Sequence, residues 1–158
     1  MTSEVEATAS RFDVHYDHIM AVLLECKYVR KGPGYFSTIA RGLRVIEPTA
    51  FMDVLENAFE AHQLSWDDFD EVRLANIVLT GRRRTDGQDV YLLVEVAVNI
   101  EPSDVNRAIQ RAALLEKLGR PVVPVVAGRA ITDEAVALAH ERGVWYATGG
   151  MAVPPHGA

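Results

Sequence analysis

The feature that most constrains the fold is a pair of apolar segments separated by a short polar turn in the middle of the chain. Residues 72–80 and 90–100 are both rich in aliphatic and β-branched side chains, which favour strands. Between them lies GRRRTDGQD, in which Asp86-Gly87 is a strong turn signal. This spacing predicts an antiparallel hairpin. Because its second strand is apolar on both faces, we expect that strand inside a sheet covered on both sides.

Helical periodicity on both sides of the hairpin predicts the rest of the architecture. Apolar residues recur at helical spacing before the hairpin, and two further helices and two short strands are expected after it. The predicted order is helix, short strand, helix, hairpin, helix, strand, helix, strand. A hairpin followed by crossover helices indicates a mixed α/β fold, with one mixed sheet flanked by helices.

The first predicted helix, over residues 11–31, has one apolar face. Gly32-Pro33-Gly34 is expected to end the helix. A helix face of this kind is suited either to core packing, in which Cys26 would be buried, or to self-association, so a homodimer is a second expectation. The face comprises Phe12, His15, Ile19, Val22, Leu23, Cys26 and Val29.

Composition and length predict one globular, cytoplasmic domain. The 158 residues are 49% hydrophobic and 24% charged, which is ordinary for one compact domain. We expect a flexible arm at 1–10, the domain at 11–148 and a flexible tail at 149–158. The N-terminus lacks the apolar stretch of a secretory signal, and no apolar run approaches the ~20 residues of a membrane span. The single cysteine excludes an intrachain disulfide and a cysteine zinc cage.

Charge argues against nucleic acid as the main partner. The net charge is −6, whereas duplex binding usually needs a basic surface. The local exception is Arg82, Arg83 and Arg84 at the tip of the hairpin, where guanidinium groups could contact phosphates. The alternative is a solvated turn whose arginines are balanced by Asp86 and Asp89.

Glu95 is the residue that most needs an explanation, because it stands in the most apolar strand of the chain. Buried carboxylates are rare without a partner, since removing the charge from water costs several kcal/mol. Strand alternation places Glu95 on one face with Tyr91 and Leu93. The hairpin register brings Asn76 roughly opposite Val96 or Ala97, where it could be a neighbour of Glu95 on one face. One interpretation is a hydrogen-bonded core pair of amide and carboxylate.

The second interpretation is a resemblance. The segment LANIVLTGRRRTDGQDVYLLVEVAVNI, with a helix before it and a helix and strand after it, resembles the hairpin of the PD-(D/E)XK, or restriction endonuclease-like, nuclease core. The resemblance covers residues 24–146. It implies that Glu95 and Asn76 stand at the metal-binding positions, that Glu25 supplies a carboxylate from the first helix, and that Gln110 supports the site. Members of this family use Mg²⁺ or Mn²⁺ to activate water against a phosphodiester.

Two departures from the family pattern change the expected function. Ala97 stands where the family has its lysine, and Asn76 stands where the family has its first aspartate. We therefore expect a catalytically degenerate nuclease-like protein that serves as a binding or assembly module, and Mg²⁺ or Mn²⁺ is expected only if the site is active. The alternative is a metal-dependent endonuclease with an altered site built from Glu25, Asn76 and Glu95.

Overall fold

A five-stranded mixed sheet forms the centre of the computed structural model, which describes residues 3–156. Its strands stand in sequence order, β1-β2-β3-β4-β5. Strand β2 is antiparallel to both β1 and β3, whereas β3, β4 and β5 run parallel to one another. The strands are β1 (Ala40–Val45), β2 (Ile77–Arg83), β3 (Asp89–Ile100), β4 (Val122–Ile131) and β5 (Trp145–Ala147).

Five helices within the described residues cover this sheet on both faces, which confirms the predicted mixed α/β fold. They are α1 (Ser3–Tyr35), α2 (Pro48–Glu60), α3 (Trp66–Val72), α4 (Pro102–Glu116) and α5 (Asp133–Arg142). None of the helices described over 3–156 combines the length and apolar character that a membrane span requires.

The predicted hairpin is confirmed as β2 and β3. Their register runs from Ile77 opposite Val94 to Arg82 opposite Asp89. Gly87 turns the chain with φ +70°, a left-handed conformation that glycine adopts without steric cost. Strand β3 has β2 on one side and β4 on the other, and it is buried over most of its length.

Side-chain alternation along β3 divides the core into two layers. Leu92 and Val94 pack on the face that α1 covers, together with Tyr28. Tyr91 and Leu93 point to the opposite face and pack against residues of α2, α3 and α4. A third group lies between α4, α5 and β4 on the second face. Glu95 has the same parity as Leu93, so it points towards the layer of α4.

Helix α1 is longer at both ends than the sequence predicted. It begins at Ser3 rather than at residue 11, and it continues through Gly32-Pro33-Gly34 to Tyr35. Pro33 lies in the last turn, where its missing N–H costs one hydrogen bond, and the Phe36 N–H still donates to the Gly32 carbonyl at 2.8 Å. The burial of Tyr28 and Phe36, whose rings stack, stabilises this last turn against the local stop signal.

The apolar face predicted for α1 lies largely in solvent. Phe12 is 70% exposed and Ile19 is 56% exposed, and the Cys26 thiol is exposed as well. The prediction that Cys26 is a core residue is therefore wrong. The residues of α1 that enter the core are Leu24 and Tyr28, on a neighbouring side of the helix.

The predicted flexible tail, 149–158, makes backbone contacts with the domain within residues 149–156, and residues 157–158 lie outside those that the structure describes. The Ala152 N–H donates to the Tyr35 carbonyl at 2.9 Å, and Ala152 itself is buried. Val153 forms an isolated antiparallel bridge with Tyr146. The segment therefore has hydrogen-bond partners for its backbone. Its small and apolar residues gave no pattern in the sequence from which these contacts could be predicted.

Candidate functional site

Glu95 occupies the middle of β3 and is 2% exposed, so the carboxylate is as buried as the strand pattern predicted. Its neighbour on the parallel side is Val126 of β4. On the other side the paired register of β2 ends one residue earlier, at Ile77 opposite Val94. The end of this pairing leaves space for polar groups beside the Glu95 carboxylate.

Arg111 of α4 supplies the principal partner. Its Nη1 donates to the Oε1 atom of Glu95 at 2.6 Å. The same guanidinium donates from Nε to Oε1 of Glu71 at 3.1 Å and from Nη1 to the Leu74 carbonyl at 3.2 Å. Arg111 is itself buried, so it joins β3, α3 and α4 through charge-assisted hydrogen bonds inside the protein.

Helix α4 places Arg111 in this position for local reasons. Pro102 suits the first turn, and a capping box links Glu101 with Asp104 at the start of the helix. Buried residues at helical spacing hold the helix on the sheet and bring Arg111 onto the sheet-facing side. These residues are Val105, Ala108, Ala112 and Leu115.

Asn76 lies directly before β2 and contacts Glu95, as the predicted register indicated. Its backbone N–H donates to the second oxygen of Glu95, Oε2, at 3.4 Å. The side-chain carbonyl of Asn76 accepts a hydrogen bond from the Val96 N–H at 3.0 Å. The amide oxygen therefore continues the β2–β3 ladder by one step beyond the last paired residues.

Glu25 reaches the same asparagine from α1. The Nδ2 atom of Asn76 donates to Oε2 of Glu25 at 3.5 Å. Glu25 is half-buried, and it contacts Asn76 rather than the carboxylate of Glu95. The structure thus brings together three of the four predicted site residues in the order Glu25, Asn76, Glu95.

An open cavity of about 340 Å³ lies beside Glu25 and Asn76. It is bounded by α1, the start of α2 and the strands β1 and β2, and most of its lining is apolar, including Val29, Phe51 and Met52. Glu95 is not part of the lining. The buried carboxylate is thus separated from the cavity by Asn76.

The fourth predicted residue, Gln110, is exposed, and its neighbour Arg111 is the residue of α4 that contacts Glu95. The sequence did contain a signal for this. The apolar stripe of α4 places position 111 near the sheet, and a buried carboxylate on the facing strand needs a cation. Gln110 faces solvent because it lies one step around the helix from that stripe.

Burial dominates the electrostatics of Glu95. The loss of water around the carboxylate raises its pKa to about 7, and this effect outweighs the opposing influence of the Arg111 charge and of the Asn76 N–H. Arg107, one turn before Arg111 in α4, also acts to lower this pKa. Near neutral pH the carboxylate is therefore close to the midpoint of its titration.

The residues present do not fit a Mg²⁺ or Mn²⁺ site. Hard divalent cations need several free oxygen ligands, and carboxylates provide most of the binding energy. Arg111 holds one oxygen of Glu95, and Val96 holds the side-chain oxygen of Asn76. Within residues 3–156 no group of three or more histidine, cysteine, aspartate or glutamate side chains is arranged to hold a metal ion.

The arginines at the hairpin tip lie away from Glu95. Arg83 donates to Asp86 with a shortest distance of 2.6 Å between Nη2 and Oδ2, as expected for a charge-balanced turn. Arg82 and Arg84 are exposed. Glu95 lies six positions along β3 from Asp89 at this end, which corresponds to roughly 20 Å at the usual rise of a strand.

Comparison with known proteins gives no relative from which a function could be transferred. The chain matches no protein-family model, no curated protein and no solved structure. The resemblance to PD-(D/E)XK nucleases therefore stays a prediction from the sequence, and the function has to be argued from the contacts of Glu95 and its neighbours.

Proposed function

We propose that this chain is a catalytically degenerate relative of the PD-(D/E)XK nucleases that acts as a non-catalytic binding or assembly module. The observation that supports it best is the 2.6 Å ion pair between Arg111 and Glu95. In an active member of that family, the corresponding carboxylate would hold a divalent cation. Here a guanidinium supplies the positive charge from within the protein.

The closed hydrogen bonding of the site supports the same proposal. Both oxygens of Glu95 accept hydrogen bonds, and Arg111 uses its donors on Glu71, Leu74 and Glu95. In the described part of the chain, no buried side-chain nitrogen or oxygen lacks a partner. Buried polar groups that maintain a fold typically have all their hydrogen-bond partners within the protein. A metal-binding site, in contrast, keeps ligand atoms available for the ion.

A calorimetric titration of Mn²⁺ into the full chain tests this proposal, with a cleavage assay on single-stranded DNA, duplex DNA and RNA. We expect no saturable heat in the wild type at millimolar Mn²⁺ and no cleavage, because Arg111 already neutralises Glu95. The matched variant is Glu95→Gln, which keeps the shape of the side chain. Sub-millimolar binding in the wild type that disappears in this variant would contradict the proposal.

A Mg²⁺-dependent endonuclease is the second candidate, and one observation favours it. Glu25 and Glu95 both contact Asn76, and Glu25 and Asn76 line an open cavity. If Arg111 moved away from Glu95, the carboxylates of Glu25 and Glu95 would both be available on either side of Asn76. Metal-dependent cleavage that is abolished by both Glu25→Gln and Glu95→Gln would establish this activity.

The proposed module acts in the cytoplasm and on protein rather than nucleic acid. This part of the proposal is supported by the net charge of −6 and by the single cysteine, which suits a reducing compartment. The Arg83–Asp86 ion pair reduces the number of guanidinium groups available at the hairpin tip. Retention of the chain on duplex DNA at 150 mM salt would argue for a nucleic-acid partner instead.

A further inference from the structure

The N-terminal two-thirds of α1 carries an apolar seam that nothing in the described part of the chain covers. The seam residues are all strongly exposed or, for Cys26, carry an exposed thiol. They follow one another at steps of seven, four, three, four and three residues. These seam residues are Val5, Phe12, Tyr16, Ile19, Leu23 and Cys26.

This spacing identifies the kind of partner. Steps of four and three alternate, and the step of seven equals their sum, so the seam has a repeat of 3.5 residues. This is the repeat of a coiled coil, in which each seam residue inserts between four residues of the facing helix. Leu23, Cys26, Lys27 and Arg30 are spaced to form such a four-residue hole, and they line a surface depression on α1. The surface that best fits this seam is therefore another helix with the same repeat.

The seam also explains how α1 can extend so far from the sheet. Helix residues gain most of their stability from packing an apolar face, and isolated helical segments are marginal in water. The residues of α1 that enter the core begin at Leu24. The preceding turns need a second surface to cover Phe12, Tyr16 and Ile19.

The distribution of charged residues along α1 indicates which helix can pack on the seam and whether it runs parallel or antiparallel to α1. Residues 3–20 contain four acidic side chains and one arginine, whereas residues 21–35 contain two lysines, one arginine and one glutamate. One half of the helix is thus acidic and the other half is basic. Two copies of α1 placed antiparallel bring each acidic half against a basic half, whereas a parallel pair would bring like charges together.

We propose that a second copy of this chain covers the seam, with the two α1 helices antiparallel and Tyr16 near the two-fold axis. This register places Phe12 against Ile19 of the other copy, and Val5 against Cys26. It also places Glu6 beside Lys27 across the flank of the seam. The interface deepens the proposed function, since it names the partner of an assembly module and rests on that function.

Sedimentation equilibrium of the full chain tests the interface. We expect the mass of a dimer for the wild type, and a monomer mass for Ile19→Lys, because a charge in the seam cannot be buried without a partner. Val14→Lys is the matched control. Val14 is 65% exposed on the same helix but outside the seam, so this variant should remain a dimer. A monomeric wild type, or equal dissociation of both variants, would overturn the proposal.

Disulfide trapping with oxygen and copper–phenanthroline tests the direction. In the antiparallel dimer the two Cys26 thiols lie roughly 30 Å apart, at ~1.5 Å per helical residue. The wild type should therefore stay uncrosslinked, whereas Val5→Cys should form a covalent dimer through Cys26 of the other copy. Val14→Cys is the control and should not crosslink. Efficient crosslinking of the wild type, or none in Val5→Cys, would rule out the antiparallel arrangement.

These outcomes are separable from those of the metal experiment. The seam variants change only exposed positions of α1, and Glu95 and Arg111 are contacted from β3, α3 and α4. A dimer that binds Mn²⁺ through Glu95 would contradict the non-catalytic function and leave the interface intact. A monomeric wild type that binds no Mn²⁺ would contradict the proposed interface but would agree with the proposal that Glu95 is not part of a metal site.

Discussion

At the scale of single residues, the chain is organised around a carboxylate that the sequence already marks as unusual. Glu95 could be identified because it interrupts an apolar strand, and Asn76 because the hairpin register is fixed by a strong turn signal. Arg111 could be identified only by combining the apolar stripe of α4 with the carboxylate on the facing strand. Arginine on a helix most often faces solvent, and only the facing carboxylate makes its burial favourable.

The raised pKa of Glu95 predicts an effect of pH on stability. Its folded pKa of about 7 lies above the ordinary value of 4.5, so the folded protein binds this proton more tightly than the unfolded chain does. The associated stability is fully present below pH 4.5 and is lost as pH rises through 7. The change amounts to about 3 kcal/mol at most, from 1.36 kcal/mol per pKa unit.

Urea denaturation of the wild type and Glu95→Gln across pH 4.5 to 8 measures this effect. We expect the free energy of unfolding of the wild type to fall relative to that of Glu95→Gln as pH rises. Glu141→Gln, which removes an exposed carboxylate from α5, controls for the loss of a charge. A difference between wild type and Glu95→Gln that does not change with pH would show that the carboxylate titrates as it does in water.

At the scale of elements, periodicity and turn chemistry predicted the hairpin, the flanking helices and the succession of helices and strands along the chain. The ends of α1 were predicted wrongly, because Gly32-Pro33-Gly34 is a strong local stop signal. Burial of Tyr28 and Phe36 against the sheet overrides that signal, and such a tertiary contact cannot be read from a local window. The exposure of the α1 seam was equally hidden, since periodicity does not say what covers an apolar face.

Arg111 also connects elements, which leads to a prediction about coupling. It links α4 to α3 through Glu71 and to β3 through Glu95. Removing one partner of a buried pair costs about 3–5 kcal/mol, whereas exposed pairs contribute under about 1 kcal/mol. At pH 8 we expect Arg111→Gln to lower the free energy of unfolding by that larger amount.

Arg107→Gln is the control, because Arg107 is half-exposed and pairs with Asp104 on the same helix. The double variant Arg111→Gln with Glu95→Gln should recover part of the lost stability, since it leaves no unpaired charge in the core. The measurement is a double-mutant cycle by chemical denaturation. Strictly additive effects would mean that the two side chains do not stabilise each other.

At the scale of the whole molecule, the fold places two features on opposite sides of the sheet. The Glu95–Arg111 pair lies on the face of α3 and α4, and α1 covers the other face and presents its seam to solvent. The first feature is a buried carboxylate whose charge is balanced by an arginine of the same domain. The second feature, the exposed seam of α1, is the surface through which we propose that two copies of the domain assemble.

We propose that Arg111, and not a metal ion, balances the charge of Glu95. The most direct measurement is a carbon NMR titration of the Glu95 carboxyl group with and without 10 mM Mg²⁺, assigned by comparison with Glu95→Gln. We expect a midpoint near pH 7 that Mg²⁺ does not change. A metal bound to the carboxylate would compete with the proton, so a midpoint lowered by Mg²⁺ would contradict the claim.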